Sequence, residues 1–229
     1  MSGERLLLVS ATGFEIEPVL ARVGMVSAGS RGLGTPGYFA QGERFDCLIT
    51  GVGQAPCAVW LSKRLGQGRY DRIIQAGLAG SFTELYPKRS VVVVGEELFG
   101  DSGAEDRGGF LDLFEMGLVE RDSFPFSGGA LRAPDTGLLA ATGLPIARSV
   151  TVNRTLSDSA SIDWIRQRYS PEVVNMEGSP FFYACLTHGV PFIELRAVSD
   201  MVGPRDKAAW DIAGAIAQLN HELFRLLAL

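Results

Sequence analysis

Residues 171–206, PEVVNMEGSPFFYACLTHGVPFIELRAVSDMVGPRD, constrain the fold more than any other stretch. Two short runs rich in aliphatic and β-branched residues, 172–176 and 192–199, flank a stretch, 180–188, with the length and residue types of a helix. Strand, helix, strand at this spacing predicts a parallel crossover unit. Each expected strand ends in an acid, Glu177 after the first and Asp200 after the second. In a parallel unit the two strand ends share one edge of the sheet, where open α/β folds hold their ligands. Two carboxylates are therefore expected to face one crevice.

Their surroundings suggest different work for each. Glu177 precedes Gly178-Ser179-Pro180, and a proline fits a helix's first turn because no backbone donor is required there. The positive pole of that helix favours an ionised Glu177, which accepts hydrogen bonds and suits paired hydroxyls such as those of a ribose. Asp200 stands before Gly203-Pro204 in an expected loop. Enclosure there would raise its pKa and let it deliver a proton. The structural alternatives are a helix cap at Glu177 and a turn at Asp200.

The rest of the chain alternates in the same way. Strands are expected at 5–10, 45–50, 71–76, 90–95 and 146–152, and helices at 12–23, 55–65, 135–142, 159–169 and 208–227. Thr12 and Glu15 have capping-box spacing. Gly51-Val52-Gly53 follows a strand, but Pro56 stands where a dinucleotide fingerprint has its third glycine, so a close backbone approach is the simpler expectation. Gly77-Leu78-Ala79-Gly80 follows the next strand and would leave backbone N–H groups open beneath a ligand. Residues 24–42 are glycine- and serine-rich, a loop with a weak hairpin. Residues 96–134 read as irregular, with glycines among Phe99, Phe110, Phe114, Phe124 and Phe126. On the last helix Ile212, Ile216, Leu219, Leu223 and Leu227 share an apolar face, and Trp210 lies off it.

Composition removes several classes. The 229 residues suffice for one α/β domain with a full core, and the whole chain is expected to be a single domain. A net charge of −5 argues against a nucleic-acid surface. The apolar run from Leu6 to Ala11 is too short for a signal-peptide core or a membrane span. Cys47, Cys57 and Cys185 are odd in number and set in apolar surroundings, which fits free thiols in a reducing cytoplasm. His188, beside Gly189 at a helix end, and His221, on a polar helix face, are poor catalytic candidates. With two isolated histidines and no cysteine cluster, no metal is expected, and no cofactor.

Asn175-Met176-Glu177-Gly178, then Arg196-Ala197-Val198-Ser199-Asp200, resembles the paired signatures of the purine nucleosidase and phosphorylase superfamily. Val202-Gly203-Pro204-Arg205-Asp206-Lys207 with Trp210-Asp211-Ile212 is similar to one branch, the futalosine hydrolases of menaquinone biosynthesis. The resemblance implies a three-layer αβα sandwich around a mostly parallel mixed sheet. It also implies hydrolysis of the N-glycosidic bond of futalosine, releasing hypoxanthine. Asp200, aided by Ser199, is then the acid at purine N7, and Glu15, with Glu17 one register away, activates water. Glu177 and the Met176 backbone hold the ribose hydroxyls. Thr155 and Leu156 meet the purine edge through backbone atoms, Gly77 and Leu78 lie beneath it, and Trp210 stacks on it or packs under the adjacent loop. An acid at position 15 and no cation in Thr12-Gly13-Phe14 favour water over phosphate. A cation for the substrate's carboxylate is sought among Arg107, Arg205 and Lys207. The resemblance further implies a homodimer or higher homo-oligomer whose phenylalanine-rich loop, through Phe110 and Phe114, reaches a neighbour's pocket. Alternatives are a methylthioadenosine/S-adenosylhomocysteine or aminodeoxyfutalosine nucleosidase, a non-catalytic purine-nucleoside-binding protein, and a structural oligomerisation module.

Overall fold

A computed structural model describes residues 4–25, 34–106, 109–203 and 206–229, apart from the side chains of Asp106 and Lys207. In chain order the elements are β1 (Leu6–Ser10), α1 (Gly13–Arg22), β2 (Tyr38–Ala40), β3 (Asp46–Ile49), α2 (Gln54–Gln67), β4 (Arg72–Ser81) and β5 (Val91–Phe99). Then come β6 (Gly103–Asp106), β7 (Gly109–Asp112), β8 (Leu131–Arg132), α3 (Thr136–Ala141), β9 (Ile146–Thr151), α4 (Ser159–Tyr169), β10 (Val173–Asn175), α5 (Gly178–His188), β11 (Phe192–Met201) and α6 (Ile212–Leu226). A 3-10 turn, Lys207–Ala209, precedes α6.

The sheet order is β10-β9-β5-β11-β4-β1-β3-β2, with β8 on β5. α1 and α6 pack together on one face and α2 and α5 on the other, which makes the mixed-sheet sandwich with helices on both sides. β1, β3, β4 and β11 are parallel, and their central residues, apolar for the most part, are buried on both faces. Phe181, Phe182 and Phe192 interlock edge-to-face beneath α5, the last two with ring centres 4.7 Å apart.

One expectation about the sheet fails. β10 is antiparallel to β4, whereas β11 is parallel to β4, so β10 and β11 run in opposite directions and do not pair. They are not a parallel crossover unit. β10 instead bonds β9 on one side and the far end of β4 on the other, closing that part of the sheet on itself. The edge of β4 opposite β11 is taken by β1 over residues 72–75 and by β10 over 80–81. Residues 76–79 face the gap between them. Glu177 and Asp200 meet across that gap, not along a common row of strand ends.

Three strands are longer than their sequences suggest. β11 runs to Met201, so Asp200 is a strand residue and not part of a loop. β4 runs through Gly77-Leu78-Ala79-Gly80, which are part of the strand and do not follow it. β5 continues to Phe99, so Glu96 and Glu97 lie in the sheet, and β6 and β7 form a hairpin within the stretch expected to be irregular. The last helix starts at Ile212, four residues later than expected, because Asp211 caps it through the Gly214 N–H. Trp210 thus lies ahead of the helix, and Ile212 is 40% exposed instead of core.

Candidate active site

Glu15 is fixed first. Thr12 caps α1, and Glu15 Oε2 accepts from the Thr12 N–H at 2.9 Å, Thr12 Oγ1 at 2.6 Å and Ser10 Oγ at 3.0 Å. Its Oε1 accepts from the Leu78 N–H at 3.0 Å, a donor that the gap in the sheet leaves free. From α6 the buried Asn220 donates to the Glu15 carbonyl at 2.8 Å and accepts from the Val19 N–H at 3.2 Å. The capping role and the site role therefore belong to the same side chain. Three donors occupy Oε2, so Oε1 keeps the spare lone pair.

Glu177 is fixed by backbone and by a buried cation. Gly51 and Gly53 have φ of 91° and 96°, and the Gly53 N–H donates to Glu177 Oε1 at 2.8 Å. The close approach expected of that glycine turn is to this carboxylate. Glu177 Oε2 accepts from Arg196 Nη1 at 3.3 Å. Burial pushes the Glu177 carboxyl up, while the Arg196 guanidinium and the Gly53 N–H pull it down.

Asp200 is aimed by a β-bulge. The pairing of β11 with β4 slips between Val198 and Asp200, opposite Ala79 and Gly80. In a regular strand neighbouring side chains point to opposite faces. The bulge lets Ser199 and Asp200 line the same cavity. Ser199 Oγ donates to Asp200 Oδ1 at 2.7 Å, and burial raises the Asp200 pKa against that bond. The Asp211 N–H, donating to the Ser199 carbonyl at 2.8 Å, ties the Trp210 segment to the bulge.

Glu15, Glu177 and Asp200 line one cavity of about 300 Å³. Met176, Ser199, Trp210, Thr155, Leu156 and Leu78 line it too. Gly77 does not. It lies below, where a Cβ would stand 2.7 Å from Arg196 Nη1 and 3.2 Å from Glu15 Oε1. Glu17 is not among the lining residues, whereas Glu15 is. Arg107 and Arg205 lie outside the described residues, as does the Lys207 side chain. Phe110 packs edge-to-face on Trp164 at 5.0 Å and Phe114 on Phe126 at 5.2 Å, within the chain. Among the described residues no three His, Cys, Asp or Glu are grouped to hold a metal, and no helix is long and apolar enough to cross a membrane.

Sequence reasoning missed the layer beneath the cavity. Arg196, 1% exposed, donates from Nε to Glu194 at 2.6 Å and from Nη2 to Asn175 Oδ1 at 3.3 Å. Asn175 Oδ1 also accepts from the Glu177 and Gly178 N–H groups, at 2.8 and 2.6 Å, and its Nδ2 donates to Glu97. Thr151 Oγ1 donates to Glu97 Oε2 at 2.8 Å. The signal for Glu194 was present, an acid alone in the apolar run Phe192-Ile193-Glu194-Leu195. Arg154, Phe14, Val52 and Ile212 at the cavity wall were also missed.

A sequence model described as Phosphorylase superfamily matches residues 5–228. The chain belongs to that superfamily. Within the phosphorylase superfamily it is 34% identical to a futalosine hydrolase of Streptomyces coelicolor over 190 residues, 80% of this chain and 79% of that one. It is 32% identical to a Thermus thermophilus futalosine hydrolase, over 82% of this chain and 83% of that one. In structure it resembles a methylthioadenosine/S-adenosylhomocysteine nucleosidase of Colwellia psychrerythraea solved with adenine, at TM-score 0.80 and 18% identity, covering 99% and 96% of the two chains. A futalosine hydrolase of Helicobacter pylori aligns at TM-score 0.76 and 14% identity, covering 98% and 97%. The chain is an N-glycosyl hydrolase, a nucleosidase of this superfamily.

Proposed function

We propose that this nucleosidase hydrolyses the N-glycosidic bond of futalosine, releasing hypoxanthine in the futalosine route to menaquinone. The observation that carries the reading is the convergence of Glu15, Glu177 and Asp200 on one cavity. Cleavage needs a proton on the departing base, a positioned water and tolerance of positive charge on the ribose. Asp200, its proton retained by burial and its carboxyl oriented by Ser199, protonates N7. Glu15 directs water through its spare lone pair on Oε1. Glu177 and the Met176 backbone take the 2′- and 3′-hydroxyls, and two nearby carboxylates favour a cationic sugar. Thr155 and Leu156 meet the purine edge, Leu78 lies under the base, and Trp210 stacks on it.

Water is favoured over phosphate by the same charges. The only basic residue lining the cavity among those described is Arg154, and the Arg196 guanidinium beneath is taken up by Glu194, Glu177 and Asn175. An anion entering beside Glu15 would meet two carboxylates, and the cation beneath them is already committed.

The futalosine hydrolases among the relatives favour futalosine over methylthioadenosine. Exposed Phe124, Leu118, Val59 and Val52 support a homo-oligomer, and three buried free thiols fit the cytoplasm. The purified protein, given futalosine, aminodeoxyfutalosine and methylthioadenosine in phosphate-free buffer, should release hypoxanthine from futalosine. Adenine from methylthioadenosine at a comparable rate overturns the choice of substrate.

A further inference from the structure

The layer under the cavity holds more acid than one cation can balance. Glu97 and Glu194 are 0% exposed, Glu177 5% and Glu15 6%, around a single guanidinium, Arg196 at 1%. An ionised carboxylate without a partner in such an interior costs several kcal/mol, and the group takes up a proton instead. Their partners differ. Glu177 has the Arg196 guanidinium on one oxygen, the Gly53 N–H on the other and the N-terminus of α5 beneath it, so it keeps the charge. Glu97 is hydrogen-bonded to no cation; its partners are the neutral side chains of Thr151, Asn175, Ser179 and Ser149. Glu194 uses Oε1 for Arg196, and its Oε2 is buried with no donor. Gln75 is the ladder partner of Glu194, and its Oε1 is also buried with no donor. A proton on Glu194 Oε2 would supply a donor where these buried acceptors have none.

We propose that Glu97 and Glu194 are un-ionised carboxylic acids in the working protein, and that their neutrality commits Arg196 to Glu177 and so holds the hydroxyl-binding carboxylate in place. Burial is the first cause that raises Glu97, and it raises Glu194 as well. The charged or titratable groups around the pair are Arg196 on the same strand as Glu194, Glu177 at the head of α5, Glu15 on α1, and the thiols of Cys57 on α2 and Cys185 on α5. Glu97 and Glu194 are positioning residues. When either loses its proton, Arg196 gains a second anion and Glu177 a repelling neighbour. Nucleoside binding should therefore weaken at alkaline pH, independently of the proton-transfer step at Asp200. This consequence rests on the nucleosidase reading above; the protonation states do not.

The two parts are tested separately. Infrared difference spectra of wild type against Glu97→Gln and Glu194→Gln at neutral pH should each contain the carbonyl band of an un-ionised carboxylic acid. Difference spectra without that band overturn the protonation states, whatever the substrate. If a variant does not fold, titrating Asp200→Asn, which removes the other retained proton, decides the point: a buried acid band must persist there above the pH at which exposed carboxylates have ionised, and its absence overturns the protonation states. With futalosine, the KM of wild type should rise at alkaline pH, and the rise should vanish in the glutamine variants while the kcat limb stays in place. An unchanged KM profile in those variants overturns the coupling to Glu177. Glu194→Leu cannot donate to Gln75 and should raise KM at neutral pH by about tenfold, the equivalent of one lost buried hydrogen bond, which glutamine restores.

Discussion

Gly178→Ala is a demanding test of the tether beneath the site. Gly178 opens α5, and a Cβ there would stand 2.5 Å from Glu97 Cδ, 2.7 Å from Asn175 Nδ2, and closer still to Glu97 Oε1. Normal contact distances require the Glu97 carboxyl to withdraw by about 1 Å, which no fully buried side chain can do freely. Withdrawal breaks the bonds from Asn175 Nδ2 and Thr151 Oγ1. Each buried donor left without an acceptor costs roughly 1–3 kcal/mol, so a loss of about 3–5 kcal/mol is expected after partial repacking. For a domain of this size that lowers the thermal midpoint by roughly 6–20 °C. Because Asn175 also anchors the Glu177 N–H, KM for the nucleoside should rise more than kcat falls. Gly66→Ala is the control: it lies in α2 with nothing within 4 Å of a new Cβ, and should gain up to about 1 kcal/mol. Calorimetry and urea titration of both variants suffice. Equal midpoints for Gly178→Ala and wild type would refute the packing described around Glu97.

Three further outcomes follow from the site geometry. Asp200→Asn should cut turnover by roughly 10²–10⁴-fold with little change in thermal midpoint, and near-normal turnover would remove Asp200 from the acid's role. Ser199→Ala removes the bond that favours the ionised form of Asp200, so the pKa rises further; the alkaline limb of kcat, where the acid loses its proton, should move to higher pH, and a limb that stays or moves down contradicts the assignment. Asn220→Ala strips partners from the Val19 N–H and the Glu15 carbonyl and should cost roughly 2 kcal/mol, read as a fall in the denaturation midpoint; an unchanged midpoint would mean that α1 closes its own bonds around Pro18.

Much of this was legible in the chain because it rests on local signals. The α4 span, the end of α5 at His188 and the αL cap at Gly189 follow from residue type and period. Glu15, Glu177 and Asp200 were each marked by a strand or helix end beside an acid. What failed needed non-local information. The direction of β10 depends on its partners, β9 and the far end of β4, and no periodicity within residues 172–176 encodes them. Glycines in β4 suggested that the strand had ended, but they are small because Arg196, Glu15 and Asp200 crowd that strand. Glu97 was hidden by the same kind of misreading, since an acid after Gly95 looks like the start of a loop. Ile212 carried the helix period without the helix's core, its side chain being placed by the cap at Asp211.

Every part of the constellation uses β4 as its ruler. The Leu78 N–H sets Glu15, the Leu78 carbonyl receives Arg196, Ala79 faces the bulge that turns Asp200, and Gly80 leaves room for that carboxyl. Adding or deleting one residue within 76–81 would therefore displace acid, water-holder and sugar clamp together, a disruption that no single compensating change elsewhere could repair. Rim residues such as Phe14, Val52 and Ile212 stand on other elements and can be exchanged singly. New substrate tails are thus open to such a scaffold by stepwise change, while the bond it cuts stays the same.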